Sequence, residues 1–461
     1  MLRLGRGLST GALVALVMAA QAAHADTLEG ALVQAYQNNP QVNAQRASLR
    51  ATDENVPQAL SGYRPKLSGT ATYGVLATDT TSQSSGTRSR QSGSVEPKTY
   101  GATLSQTVFN GFQTTNRTRQ AESQVFAARE TLRVIEQTVL LDAVTAYMNL
   151  LRDGAILDLQ KRNVEVIQEQ LRQTRDRFNV GEVTRTDVAQ AESRVAAAQS
   201  QMLAAQANHT TSRAVYRRVV GAEAGRLNPG TPVDRLSPRT LEQAVTQGQT
   251  ENPAVGAAEH GVDVAALQVK ISEGALYPTV TVAGSVQKSY DSSLSTVESM
   301  QASVTGQLSV PIYQGGTEFS TIRQSKETLG QRRLELALNR DQARANVVQA
   351  WGQLDAAKAQ ITATQAQVAA AEIALNGVRE EARVGQRTTL DVLNAQQELV
   401  NARVALVTAQ RDRVVASYAL LSASGRLSVM VLGLQVPIYD PLTHYHQVRD
   451  SWFGVRTPDG Q

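Results

Sequence analysis

Cysteine is missing from the chain altogether. That leaves no disulfide framework, no thiolate metal site and no lipid-bearing cysteine behind an export signal. Aromatic residues make up only 4% of the 461 positions, and alanine supplies much of the apolar content, a composition that suits long helices better than compact globular cores. Beyond the first 25 positions no run reaches 18 apolar residues, so ordinary helical membrane spans are excluded and any membrane role falls to strands. An excess of one charge is lacking too. The formal net charge of +4 includes Arg3 and Arg6 of a leader segment, and the remaining balance is too even for a nucleic-acid partner. The five histidines form no acid–base pattern, and G-x-x-x-x-G-K, H-E-x-x-H, G-x-S-x-G and a helix-opening G-x-G-x-x-G are all missing. No enzyme, cofactor or metal site is expected, and His444-Tyr445-His446, with no third ligand placed, reads as surface.

Proline is absent from Lys98 to Asn228 and again from Ile312 to Val436. Both stretches are rich in Ala, Gln, Arg, Glu, Leu and Val, which favour helix. Leu150, Leu157, Val164, Leu171 and Phe178 recur at sevens, and Leu354, Ile361, Val368, Leu375 and Ala382 repeat the pattern, which calls for a partner helix and supercoiling. Each helical stretch is broken once, at Asn179-Val180-Gly181-Glu182-Val183-Thr184 and at Arg383-Val384-Gly385-Gln386-Arg387-Thr388. Glycine suits the left-handed residue that ends a helix, and the threonine and aspartate beyond it suit a new N-terminus, so each stretch folds as a hairpin. The outgoing arm covers about 112 to 178 and the returning arm about 186 to 220; a helix at about 27 to 60 has the length to complete the shorter arm.

The chain says all this twice. An offset of 204 carries Leu104 onto Leu308, Tyr147 onto Trp351, Gly181 onto Gly385, Asp187 onto Asp391 and Gly221 onto Gly425 without a gap. An offset of 213 carries Thr27-Leu28-Glu29 onto Thr240-Leu241-Glu242 and Asn39-Pro40 onto Asn252-Pro253, so the nine-residue difference falls between Pro65 and Leu104. A unit near 200 residues is far longer than a solenoid repeat of about 20 to 50. The expected organisation is an export signal at 1–25, with Ala23-His24-Ala25 as its cleavage site, a first repeat at 26–225, and a linker at 226–239 marked by Pro229, Pro232 and Pro238. A second repeat at 240–427 and a tail at 428–461 complete it.

Strand candidates lie between the short and long helices of each copy. In 278–286, Val280, Val282 and Val286 fall on one face and Thr279, Thr281 and Ser285 on the other. Comparable runs are Lys66–Val75, Tyr100–Phe109 and Gln301–Val310, joined by polar tips at Thr78–Lys98 and Ser289–Ser299. Four strands cannot close a barrel, and an open edge in lipid leaves backbone groups unsatisfied. If these strands cross a membrane the chain must oligomerise, and three chains would supply twelve strands, an allowed even number.

The signal, the duplicated strand–strand–hairpin units and the Val384-Gly385-x-x-Thr388-x-x-Asp391-Val392 turn, with its partner Val180-Gly181 and Thr186-Asp187-Val188, together resemble the TolC family of outer-membrane efflux channels. The resemblance runs from Asp26 to about Leu427. It implies a mixed, mainly α fold: duplicated strand–strand and coiled-coil hairpin units that form, as a homotrimer, a 12-stranded transmembrane β-barrel continuous with a periplasmic α-helical barrel. It also implies a passive duct for drugs or toxic compounds, for proteins in type I secretion, or for both, docked through its hairpin tips to a periplasmic adaptor and an inner-membrane pump. Gly181, Gly385, Val180 and Val384 would sit in those docking turns, and the tail would pack around the middle of the helical barrel.

By the same resemblance the turns form a periplasmic entrance. Arg387 would pair across hairpins with Asp187, helped by Thr186, and Asp391 would project into the constriction. Two departures stand out: Asn394 takes the place of a second ring aspartate and Ala382 that of a latching tyrosine, so fewer bonds and fewer ring charges are expected. On spacing alone, Asp187 and Asp391 are first-turn acids favoured by the helix dipole. The alternative architecture is a periplasmic adaptor, but adaptors usually carry one hairpin and an inner-membrane anchor.

Overall fold

Two Asn-Pro pairs set the helix breaks. The computed structural model describes residues 27–458, so the expected export signal lies outside the described residues. It begins with α1 (Leu28–Asn38), α2 (Pro40–Asp53) and α3 (Asn55–Leu60). The single helix expected from 27 to 60 is therefore three segments. Pro40 has no N–H to bond back and opens a helix at its first position, while the Pro57 ring clashes with a regular helix through Asp53. The second half repeats the break as α6 (Leu241–Thr250) and α7 (Pro253–Gly274).

Asn39 does two jobs at this junction. Its Oδ1 accepts from Gln41 N–H at 2.8 Å, and its Nδ2 donates to the Val219 carbonyl at 2.9 Å, near the end of α5 (Arg185–Val220). Asn252 likewise donates to Ala423 O at 3.3 Å, at the end of α9 (Thr389–Ala423). Each returning helix thus has a last-turn carbonyl satisfied by the asparagine of its own repeat's Asn-Pro pair, a group that would otherwise be orphaned. The long arms are α4 (Gln113–Asn179) and α8 (Thr317–Arg383), 67 residues each. At 1.5 Å per residue each is about 100 Å long.

Chain contacts define two compact units. The first takes the chain up to Gln45, Leu132–Pro253 and Asp341–Ile438. Its main core joins Leu32, Ala35 and Tyr36 of α1 to Leu140, Val144 and Tyr147 of α4, Tyr216 and Val220 of α5, and Leu421 and Leu427. The Tyr147 hydroxyl donates to Asn228 O at 2.7 Å, so the ring is buried without a stranded polar group. The beginning of the tail belongs here, with Val429 in the same core.

The second unit comprises Arg46–Thr131, Ala254–Arg340 and the chain from Tyr439 on. It holds β1 (Lys66–Tyr73), β2 (Leu76–Ser84), β3 (Thr87–Val95), β4 (Lys98–Asn110), β5 (Thr279–Ser293) and β6 (Thr296–Ser309). Four form one antiparallel sheet in the order β1-β4-β5-β6, and β2 and β3 pair separately. The expected polar tip at Thr78–Lys98 is thus a β-hairpin. Ser85 and Gly86 both have positive φ, as a two-residue hairpin turn requires, and Arg90 Nε donates to Asp79 Oδ1 at 2.9 Å across the pair. The other tip is also shorter than expected, since β5 and β6 pair as far as Ser293 and Thr296.

The rest of the tail docks in this unit through α10 (Pro441–Val448). His444 is a correction to the surface reading: only 8% exposed, its Nδ1 lies 2.9 Å from Asp53 Oδ2. Desolvation raises the Asp53 pKa, although the His444 hydrogen bond and neighbouring positive charges oppose the shift. Arg64 donates to Ser451 O at 2.6 Å and stacks over Trp452.

Candidate functional site

Two regions carry the features expected of a channel, one in each unit. In the second unit the register aligns side chains in rows across four strands. Going down one face, the rows are Tyr73, Lys98, Tyr290 and Glu298; Ala71, Tyr100, Lys288 and Met300; Gly69, Ala102, Val286 and Ala302; and Leu67, Leu104, Gly284 and Val304. Val282 and Val280 continue it toward Leu308. The other face is Ser68, Thr70, Thr103, Thr107, Thr281, Ser285, Gln301, Ser303 and Thr305, with Ser285 and Ser303 hydroxyls 2.9 Å apart.

The apolar face is bare within the chain. Leu67 is 75% exposed, Val304 82% and Leu308 65%. A bare apolar sheet face of this extent is a surface for lipid or another partner. Tyr290 and Val280 are ten residues apart, which at 3.3 Å per residue and a tilt of about 40° spans about 25 Å, the height of a barrel's apolar band. Among the described residues no helix is long and apolar enough to cross a membrane.

The hairpin turns lie in the first unit. Gly181 and Gly385 have φ of +82° and +80°. In the first turn Glu182 N–H reaches back to Arg177 O at 2.9 Å and Gly181 N–H to Phe178 O at 3.0 Å; Gln386 and Gly385 repeat both bonds to Glu381 and Ala382. This double closure needs a left-handed residue, which explains the glycines. Val180 and Val384 beside them are 73% and 71% exposed.

Past each glycine a threonine caps the returning helix. Thr184 Oγ1 accepts from Asp187 N–H and the Asp187 carboxylate accepts from Thr184 N–H, and Thr388 with Asp391 does the same. Such reciprocal caps satisfy two helix-end donors at once. Thr184 takes this role, whereas Thr186 is an exposed first-turn residue. Hydrogen bonds from the Thr388 backbone and hydroxyl, with the Arg387 charge nearby, hold the Asp391 carboxyl below its ordinary pKa.

The expected pairing of Arg387 with Asp187 is not made within the chain. Arg387 Nε donates instead to Glu381 Oε2 at 2.8 Å, bracing its own turn, because the preceding helical turn presents a carboxylate at closer range. Asn394, expected in a pore ring, accepts from Arg194 Nη2 at 2.7 Å. Neither Glu381 nor Arg194 is marked by a motif. Ala382 lines a cleft of about 560 Å³ with Arg177, Arg379, Arg383, Glu165 and Glu169, space that a larger side chain could enter.

Residues 31–222 and 245–426 match the model of the outer membrane efflux protein family. The chain belongs to that family. It is 44% identical over 451 residues to the outer membrane efflux protein BepC of Brucella suis, spanning 96% of this chain and 95% of that protein. With the outer membrane protein TolC of Escherichia coli it shares 26% identity over 422 residues, 86% of this chain and 82% of that one. The fold resembles the solved Campylobacter jejuni CmeC outer membrane channel, with a TM-score of 0.78 at 16% identity over 92% and 89% of the two chains. This efflux protein is therefore an outer-membrane channel with a periplasmic helical portion, not an adaptor. Channels of the family are not enzymes; they are typically homotrimers and work with an adaptor and an inner-membrane pump.

Proposed function

We propose that three copies of this chain close a twelve-stranded barrel around a hydroxyl-lined lumen, and that the repeats at 26–225 and 240–427 supply equivalent wall segments to it. The carrying observation is the four-stranded sheet with β1 and β6 as free edges and an exposed apolar face. Backbone groups on such edges are tolerated in lipid only when paired, and neighbouring subunits provide the pairs. The duct is passive, its energy supplied by an inner-membrane pump, and its cargo is toxic small molecules, secreted protein, or both.

In this reading the turns at Gly181 and Gly385, with Val180 and Val384 exposed on them, dock a periplasmic adaptor. Asp187, Thr186, Arg387, Asp391 and Asn394 lie at or just beyond those turns and form the periplasmic entrance. The Arg387–Asp187 contact belongs to the assembled trimer. The test is deletion of the gene with paired assays of toxic-compound accumulation and secreted protein profile, alongside fractionation. Heat-resistant trimers in the outer membrane and a defect in either assay support the duct, while recovery in the inner membrane sinks it.

A further inference from the structure

The returning helices α5 and α9 are joined close to the turns by two adjacent contacts. Leu393, 2% exposed, packs against Ile167 and Ala191, with Leu171 and Val195 around it. One residue on, Asn394 accepts the bond from Arg194. A knob and a charged donor therefore fix the same helical turn of α9 to the first hairpin, and Asn394 is directed at α5 of its own chain. Duplication did not produce this bond. At the 204 offset, Arg194 corresponds to Glu398 and Asn394 to Gln190, so the donor and acceptor pattern is not repeated on the other seam.

We propose that Arg194 is a positioning residue of the entrance: by holding Asn394 beside the Leu393 knob, it sets how readily the turn bearing Asp391 moves away from the first hairpin. The proposal rests on the reading of the turns as an entrance. It reverses the sign expected of a second ring acid. Asn394→Asp would turn the contact into a paired ionic hydrogen bond, stronger than the neutral-acceptor one, and so tighten the entrance without depending on ring charge. Arg194→Ala would loosen it.

Planar-bilayer recording of purified trimers tests this, with outer-membrane trimer yield as the control for folding. Arg194→Ala should raise mean conductance about two- to fivefold, the range for losing one hydrogen bond of ordinary net strength, and Arg194→Lys should restore part of the closure. Asn394→Asp should lower conductance, and should lose that effect when Arg194→Ala is present. An Asn394→Asp effect that is unchanged in the Arg194→Ala background overturns the proposal and returns residue 394 to the pore ring. Because the chain has no cysteine, Arg194→Cys with Asn394→Cys can be joined by a short bismaleimide and the linked peptides identified by mass spectrometry. Linkage in the monomer band supports the tie, while dimers or no linkage overturn it. Monomer linkage with conductance unchanged in every variant means that the tie exists and the entrance reading is what failed.

Discussion

An arginine at Val304 decides which side of the sheet meets lipid. Val304 is 82% exposed on β6, opposite Gly284 and in the row of Leu67 and Leu104. Gly284 lies six residues below Tyr290, about 20 Å along the strand and about 15 Å in depth at a tilt near 40°. That is close to the middle of an apolar band about 25 Å tall. Arginine on the lipid face costs about 2 to 4 kcal/mol at the midplane, so three copies cost about 6 to 12 kcal/mol per trimer if they act independently. A loss of that size is comparable with the whole stability of a domain, about 5 to 15 kcal/mol. Thr305, the next residue and at nearly the same depth, faces the polar side, and Thr305→Arg should meet water and be tolerated. Unheated gels of outer-membrane fractions read the result: trimers vanish for Val304→Arg, persist for Thr305→Arg and persist for the control Val304→Ala. Equal loss in both arginine variants, or survival of Val304→Arg, would refute the assignment of faces.

At the helix junction, Asn39→Asp keeps the acceptor for Gln41 N–H but loses the donor to Val219 O, in a site only 7% exposed. It should cost about 1 to 3 kcal/mol, and unfolding followed by helical circular dichroism should show an unchanged midpoint if the bond is idle. Gly385→Val forces a branched side chain into φ of +80° at an exposed turn; trimers should still reach the outer membrane while crosslinking to the adaptor and export are lost, and normal crosslinking would remove this tip from the interface. The Asp391 pKa is lowered in the folded chain, so its cap is complete above the ordinary carboxylate range and is lost as pH falls through the lowered value. Exchange protection of the 384–392 amides should hold down to about pH 4 and weaken below it, whereas loss beginning near neutrality would contradict the cap. With three copies of Asp391 around an axis, trivalent cations added on the periplasmic side should block conductance, and Asp391→Asn should nearly eliminate that block.

The long helices are legible in the sequence because nothing interrupts them: two proline-free stretches with apolar residues at sevens contain α4 and α8, and α4 falls within a residue or so of the expected bounds. The four-stranded sheet is legible for a similar reason, since one face of each strand is apolar and the alternation shows. The β2–β3 hairpin is not, because its Thr, Ser, Gly and Arg residues are polar on both faces and leave no period-two signal. Asn39-Pro40 was visible as a repeated pair, but its meaning as a break depends on the helix end that comes to meet it. The caps were readable from Thr-x-x-Asp spacing. Glu381, Arg194 and the burial of His444 were not, since each depends on which side chain a neighbouring element presents.

The two copies show why a repeated sequence identifies a fold more readily than a site. Asp153 on α4 is 5% exposed and accepts from the Ser212 hydroxyl of α5. Their counterparts at the 204 offset, Ala357 and Ala416, are both alanine and both 8% exposed. The polar pair has been exchanged for an apolar pair on both sides at once. This is the tolerated route, because replacing one partner strands a buried polar group while replacing both can be nearly neutral. Gln160 and Thr364 differ in the same seam. A packing position can therefore keep its spacing while its chemistry changes in concert with its neighbour, which preserves the offset and the hairpin. Contacts such as Arg194 with Asn394 are free to arise without a counterpart at the repeat offset, and it is those unrepeated contacts that make the seams near the two turns different from each other.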